Sequence, residues 1–209
     1  MKKKLLLIGG GGHCRSVLSS ALSLNEYEEI GIVDYTDASV LGVSVVGQDE
    51  DLPALKKAGW TDAFITVGSI GNINLRHRLY QMVIDNGFTV PTIIDTTAII
   101  AQDVKVAPGC YIGKGVILNS GSYIGKCAII NTGAIIEHDC LIGDFVHISP
   151  GTVLCGQVSV GNHSHIGSGS VVRQQIEIGH DVLVGIGSVV VRNIPDRVKA
   201  FGNPCKVVE

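Results

Sequence analysis

Three titratable side chains stand in a row at Glu137-His138-Asp139, between the aliphatic Ile136 and Cys140. An imidazole titrates near neutral pH, so His138 can take a proton from an attacking amine or hydroxyl. Carboxylates on either side can orient the ring and fix its tautomer, which a general base requires. A lone histidine is more often a plain surface residue, and the two flanking acids set this one apart. Cys140 and Cys155 lie close by and raise the option of an acyl-cysteine route, but nothing adjacent would lower a thiol pKa. Direct transfer to an acceptor is the expected course. His163 and His165 form an H-x-H pair without a carboxylate or thiol placed to complete a site, so no metal is expected.

A second chemical segment is Gly9-Gly10-Gly11-Gly12-His13, which follows an apolar run and precedes a helical stretch. That arrangement presents backbone N–H groups and a helix N-terminus to a phosphate. Asp34 follows about twenty residues on, the spacing of an NAD-binding acid. The dinucleotide fingerprint fails, because Cys14 stands where G-x-G-x-x-G needs its third glycine. The alternative for this loop is a tight strand-to-helix turn with glycines for close packing.

The elements that must position these groups fall into two regimes that meet near Pro91. Up to Val90, short apolar runs alternate with helical stretches: Leu5–Ile8, Ser16–Leu24, Ile30–Val33, Leu52–Ala58, Ala63–Val67 and Leu75–Asn86. This predicts a small Rossmann-like α/β domain with a parallel sheet over residues 1–92. Beyond it helical periodicity stops and a period of six begins. Every sixth residue from Ile94 to Val190 is Ile, Val or Leu, seventeen positions without a break. Accident does not give such a run when about a quarter of ordinary residues are of these types. Six residues suit one short strand and one corner of a β-helix, predicted over 93–209. Glycine follows the aliphatic at Gly113, Gly125, Gly143, Gly161, Gly167, Gly179 and Gly185, where it is expected to relieve the corner.

The repeat resembles that of the hexapeptide acyltransferases, across the whole C-terminal part. The resemblance implies a left-handed parallel β-helix of eighteen-residue triangular coils, trimeric, using acetyl-CoA. The Glu137–Asp139 stretch is similar to the catalytic run of the branch that acetylates nucleotide-activated amino sugars and sialic acids. By that resemblance His138 is the base, Asp139 its partner and Glu137 a support, with Asn131 at the substrate. It further implies that His147 contacts acetyl-CoA and that the Gly156 N–H binds the thioester carbonyl. Ser168 and Ile186 then match the cofactor channel, and Gly202 and Pro204 the terminal loop near adenine. Gly11, Gly12, His13, Asp34, Tyr35 and Ser69 match the positions that hold a UDP-linked sugar; Tyr35 and Ser69 depart from the residues common there. His138 and His147 are nine residues apart, half a coil. They should face opposite sides of one prism, which places the cleft between subunits of a homotrimer.

Composition sets the outer bounds. Of 209 residues, 45% are apolar and 17% charged, which is globular rather than disordered. A net charge of −3 without basic clusters beyond Lys2–Lys4 leaves no footprint for nucleic acid. The opening Leu5–Ile8 run is too short for a signal peptide, and no run reaches the roughly 20 residues that would insert in a membrane. Six cysteines without a C-x-x-C pair predict free thiols in a reducing cytoplasm. The expected function is acetyl transfer from acetyl-CoA to the amino group of a UDP-linked amino sugar, for surface glycan synthesis. O-acetylation of sialic acid or another sugar is the alternative, and a β-helix scaffold without chemistry the non-enzymatic one.

Overall fold

The computed structural model describes residues 3–36, 39–71 and 73–208; Met1 and Lys2 of the opening run, and Glu209, lie outside them. Contacts divide the chain into one unit of Met1–Gly68 with Asn72–Thr96 and another of Ser69–Gly71 with Thr97–Glu209. The main change of unit comes between Thr96 and Thr97. Asp95 belongs to the first unit, where its buried carboxylate accepts a 2.5 Å hydrogen bond from Ser20 on the first helix.

The first unit runs β1 (Lys3–Ile8), α1 (Gly12–Leu24), β2 (Tyr27–Val33), β3 (Val45–Gly47), α2 (Leu52–Lys57), β4 (Asp62–Ile65) and α3 (Asn74–Asp85). The sheet is parallel throughout in the order β3-β2-β1-β4. Leu5, Leu6 and Leu7 of β1 are fully buried, as expected of a central parallel strand covered on both faces. The opening run is therefore a core strand. β3 has no counterpart in the apolar pattern; three residues are too few to show one. Gly31 on β2 is fixed by packing, since a Cβ there would lie 2.8 Å from both Trp60 and Val46.

The second unit is a parallel β-helix of two-residue rungs on three faces. The first face stacks Tyr111–Ile112, Ile129–Ile130, His147–Ile148, His165–Ile166 and Leu183–Val184. The second carries Ile99–Ile100, Ile117–Leu118, Ile135–Ile136, Val153–Leu154, Val171–Val172 and Val189–Val190, and the third Lys105–Val106, Tyr123–Ile124, Leu141–Ile142, Ser159–Val160 and Glu177–Ile178. Until the last coil, each rung pairs with the one eighteen residues on, as Ile130 does with Ile148; Leu183 pairs with Lys199, sixteen on. The sixth-residue aliphatics from Ile112 to Val190 are all buried. Small polar residues two places before them stay satisfied inside the coil: Ser122, Thr152, Ser164 and Ser170 each donate to a carbonyl fifteen residues ahead.

Corners work differently from the sequence expectation. The left-handed backbone falls at every sixth residue through Cys127, Gly133, Asp139, Phe145, Gly151, Gln157 and His163. That is two places beyond Gly125, Gly143 and Gly161, which do not have positive φ. Those glycines answer to stacking: a Cβ on Gly161 would lie 2.6 Å from Gly179 C and His180 N of the next coil. Along one corner, polar side chains cap successive coils. Asp144, Asn162, His180 and Asp196 accept in turn from the N–H of Lys126, Asp144, Asn162 and His180. Lys199–Phe201 extends the first face and turns back antiparallel through Lys206–Val208. Among the described residues, no helix is long and apolar enough to cross a membrane.

Candidate active site

His138 and Asp139 form the corner that follows rung Ile135–Ile136. Asp139 sits at the left-handed position, φ 59°, where the short Asp side chain is among the better tolerated. This backbone turns its carboxylate back on its neighbour, and His138 Nδ1–H donates to Asp139 Oδ2 at 2.9 Å. With the ring proton held there, Nε2 carries the lone pair. The imidazole lies over Gly156 in the next coil: a Cβ built there would be 2.5 Å from His138 Cε1 and closer still to Nε2. Only glycine leaves the ring its place. The main-chain N–H of Glu137 donates to Leu154 O, and its carbonyl accepts from Ser122 Oγ–H, so its backbone belongs to the coil stacking. Burial pushes the Cys140 thiol up to about 11, against the hydrogen bonds from Val158 and Gln157. That thiol is a core residue, not a nucleophile.

A second constellation lies on the first face. His147 Nδ1–H and His165 Nδ1–H both donate to the carbonyl of Ser69, at 3.0 and 3.1 Å, with their rings edge to face 4.7 Å apart. Their other nitrogens accept, from Asn131 Nδ2–H at 3.3 Å and Ser149 Oγ–H at 3.2 Å. Both tautomers are fixed, and burial lowers the pKa of His165 against the Ser69 carbonyl. The chain Asn131–His147–Ser69–His165–Ser149 escaped sequence reading because Ser69 lies 78 residues before His147. It joins Asn131 and Ser69 to His147, where the sequence grouped Asn131 with His138 and Ser69 with the glycine loop. His163 departs from its H-x-H partner to meet Asp181 at 3.0 Å.

Beside this chain a recess of about 380 Å³ brings together His147, Ser168 and Ile186, lined also by Gly167, Gly185 and Phe201. Gly202 donates to Ser188 Oγ and accepts from Val189 N–H, while Pro204 is exposed in the hairpin turn. His138 stands at the corner between the second and third faces, away from this first-face recess. A larger hollow of about 720 Å³ on the third face, beside Tyr123 and Glu177, holds none of the expected residues.

In the first unit, Gly9 is required by its turn, φ 103°, and by Val67, 2.7 Å from where its Cβ would stand. Gly11 and Gly12 have nothing within 4 Å of a built Cβ, so packing does not demand glycine at either. Gly11 caps α1 without a side chain, and no acid occupies the first turn. His13 is half-buried in that turn. Gly10 N–H donates to Asp34 Oδ2 at 2.5 Å, and Thr36 donates to Oδ1 from N–H and hydroxyl. Burial raises the Asp34 carboxyl, but these bonds carry it below the usual value. Tyr35 is exposed, its hydroxyl donating to Glu50 at 2.9 Å. A recess of about 240 Å³ opens beside them.

Residues 4–83 match the PglD N-terminal domain, and 139–174 match the bacterial transferase hexapeptide of six repeats. PerB from Caulobacter crescentus, solved with CoA and GDP-perosamine, is 39% identical over 100% of this chain and 99% of its own, with a TM-score of 0.93. The chain belongs to the hexapeptide-repeat sugar acetyltransferases. The acetyltransferase domain of PglB from Neisseria gonorrhoeae FA1090, solved with acetyl coenzyme A, is 35% identical over all of both chains, TM-score 0.93. WeeI from Acinetobacter baumannii AYE, 22% identical over 99% of this chain and 100% of its own, shares the fold at a TM-score of 0.80. The β-helix of this hexapeptide acyltransferase is accordingly left-handed, and acetyl-CoA is its co-substrate.

Proposed function

We propose that this protein moves acetyl from acetyl-CoA to the amino group of a nucleotide-linked amino sugar, with His138 as general base. One observation carries the reading: His138 Nδ1–H is held by Asp139 while the ring lies over Gly156, which leaves the Nε2 lone pair in a fixed place. The neutral amine attacks the thioester carbonyl carbon and Nε2 takes the proton as the C–N bond forms. The oxygen of the tetrahedral adduct takes the negative charge, for which the Gly156 N–H is the donor. When the C–S bond breaks, the CoA sulfur leaves as thiolate and receives the proton from His138. No covalent enzyme intermediate is needed, in keeping with the buried Cys140.

The acetyl-CoA channel is assigned to the first-face recess with His147, Ser168 and Ile186, and its adenine end to Gly202 and Pro204. Because His138 lies at another corner of the same coil, a neighbouring copy supplies one half of each site in a homotrimer. The outward row of the second face, Ile99, Ile117, Ile135, Val153, Val171 and Val189, is wholly aliphatic, which supports burial against another copy. Gly11 and Gly12, open to close approach at a helix start without a side-chain cap, are assigned to the nucleotide diphosphate, with His13 and Asp34 beside it. The loop histidine implies uridine by resemblance, whereas the Caulobacter protein was solved with a guanosine sugar. The six free cysteines support a reducing cytoplasm.

Acetyl-CoA consumption by wild type and His138→Ala, with UDP- and GDP-amino sugars and CMP-sialic acid as acceptors, tests this. A drop of about 10²- to 10⁴-fold in kcat is expected for the variant with an amino sugar. Equal rates would remove the base. Turnover of a hydroxyl acceptor alone would favour O-acetylation, and turnover of none would favour the scaffold.

A further inference from the structure

The recess beside the glycine loop has walls of two kinds. Val33, Val67, Leu75 and Leu79 make it apolar, and Asp49 and Arg78 add opposite charges to its lining. A recess of about 240 Å³ with an apolar lining, one further acceptor group and one donor group suits a nucleobase. The nearby acid Asp34 is already committed, both oxygens engaged by Gly10 and Thr36. Asp49 is half-buried at the start of the turn before α2. Burial and the neighbouring Glu50 raise its carboxyl, while the Arg78 guanidinium draws it back.

Resting on the reading of this loop as a nucleotide site, we propose that the recess takes guanine, with Asp49 accepting from N1–H and N2–H and Arg78 donating to O6. Guanine presents two adjacent N–H donors followed by a carbonyl acceptor, and a carboxylate beside a guanidinium is the complement of that edge. Uracil offers a single N3–H between two carbonyls. A carboxylate set on that N–H brings its second oxygen against a carbonyl lone pair. Adenine and cytosine place a ring-nitrogen acceptor beside their amino group, again opposite the second carboxylate oxygen. Asp49 therefore reads the base and Arg78 reinforces the choice. The glycine loop holds what is common to all nucleoside diphosphates, and Asp34 braces that loop through Gly10.

Calorimetric titration of the full-length protein with GDP, UDP, ADP and CDP tests the assignment. GDP is expected to bind at least about tenfold tighter than UDP. Asp49→Asn should weaken GDP by roughly 10- to 100-fold, the loss of a charge-assisted pair, with UDP changed less than about threefold. Arg78→Met should lower GDP affinity in the same sense. Unchanged acetyl-CoA affinity and melting temperature would certify that the variants fold. UDP binding as tightly as GDP, or equal losses for both nucleotides in Asp49→Asn, would overturn the guanine assignment while leaving the nucleotide site standing. If none of the four diphosphates binds, the nucleotide reading of the loop falls, and the base assignment with it.

Discussion

At the residue scale, the central relation is between one imidazole and one missing methyl. A Cβ at residue 156 would fall on the His138 ring, so Gly156→Ala should leave the coil intact and displace the proposed base. A kcat loss of about 10- to 100-fold is expected, with normal urea stability as the control. The stronger form is a double-mutant cycle. If Gly156 acts mainly by giving the ring its place, adding Gly156→Ala to His138→Ala should cost little more than His138→Ala alone. Fully multiplicative losses would instead assign the glycine a separate role, such as the oxyanion donor. Asp139→Asn offers a companion test: Asn suits the left-handed backbone and keeps an acceptor for Nδ1–H. It should retain stability and more activity than Asp139→Ala, which also loses about 1 kcal/mol to backbone strain. His138 with Asp139 was legible because neighbours in the chain are neighbours at the corner. Asn131–His147–Ser69–His165–Ser149 was not, since both histidines converge on a backbone carbonyl, which leaves no mark on residue type.

At the element scale, the sequence displays the core period and hides the logic of the corners. Aliphatics recur because successive coils bury the same position, without exception from Ile112 to Val190, and seventeen repeats make the period plain. Glycine recurs for two unrelated reasons, stacking clearance and left-handed φ, which letters alone do not separate. Urea titration separates them. Gly161→Ala puts a Cβ against the backbone of the next coil, 2.6 Å from Gly179 C, and should cost about 2 kcal/mol or more. Gly133→Ala meets nothing and carries only its φ of 66°, so about 1 kcal/mol is expected, and Gly133→Asn should be milder still. The α/β unit has its own strained point at Asp62, which is buried at the start of β4. Burial raises its carboxyl pKa, with Lys3 and Lys56 opposing. The folded state therefore favours the protonated form. Its contribution to stability is fully present below the unfolded pKa near 4 and is lost as pH rises through the higher folded value. Asp62→Asn should then melt higher than wild type at pH 8, with the gap closing toward pH 4. A constant gap across that range would refute the linkage.

At the scale of the whole molecule, the sites and the assembly are one question. On the β-helix the proposed base, His138, occupies a corner between the second and third faces, while the His147, Ser168 and Ile186 recess belongs to the first. Within a single coil nothing brings them together, so activity requires a second copy if both are used. Two dead variants should then rescue each other. His138→Ala removes the base and leaves the recess; Ser168→Trp fills the recess and leaves the base, at an exposed position that tolerates bulk. Each alone should be inactive as a homotrimer. When the two are unfolded together and refolded at equal amounts, subunits assort at random around the three-fold axis. About a quarter of the interfaces then pair an intact base with an intact recess, and activity should return to about a quarter of wild type. Mixing already folded proteins should give none until subunits exchange. If the site lay within one chain, co-refolding would give no activity at any ratio. The same assay extends to the aliphatic row of the second face: Val153→Glu should yield monomers by sedimentation that are inactive even with base and recess intact. A monomeric Val153→Glu that still turned over would place the whole site on one subunit and remove the need for the trimer.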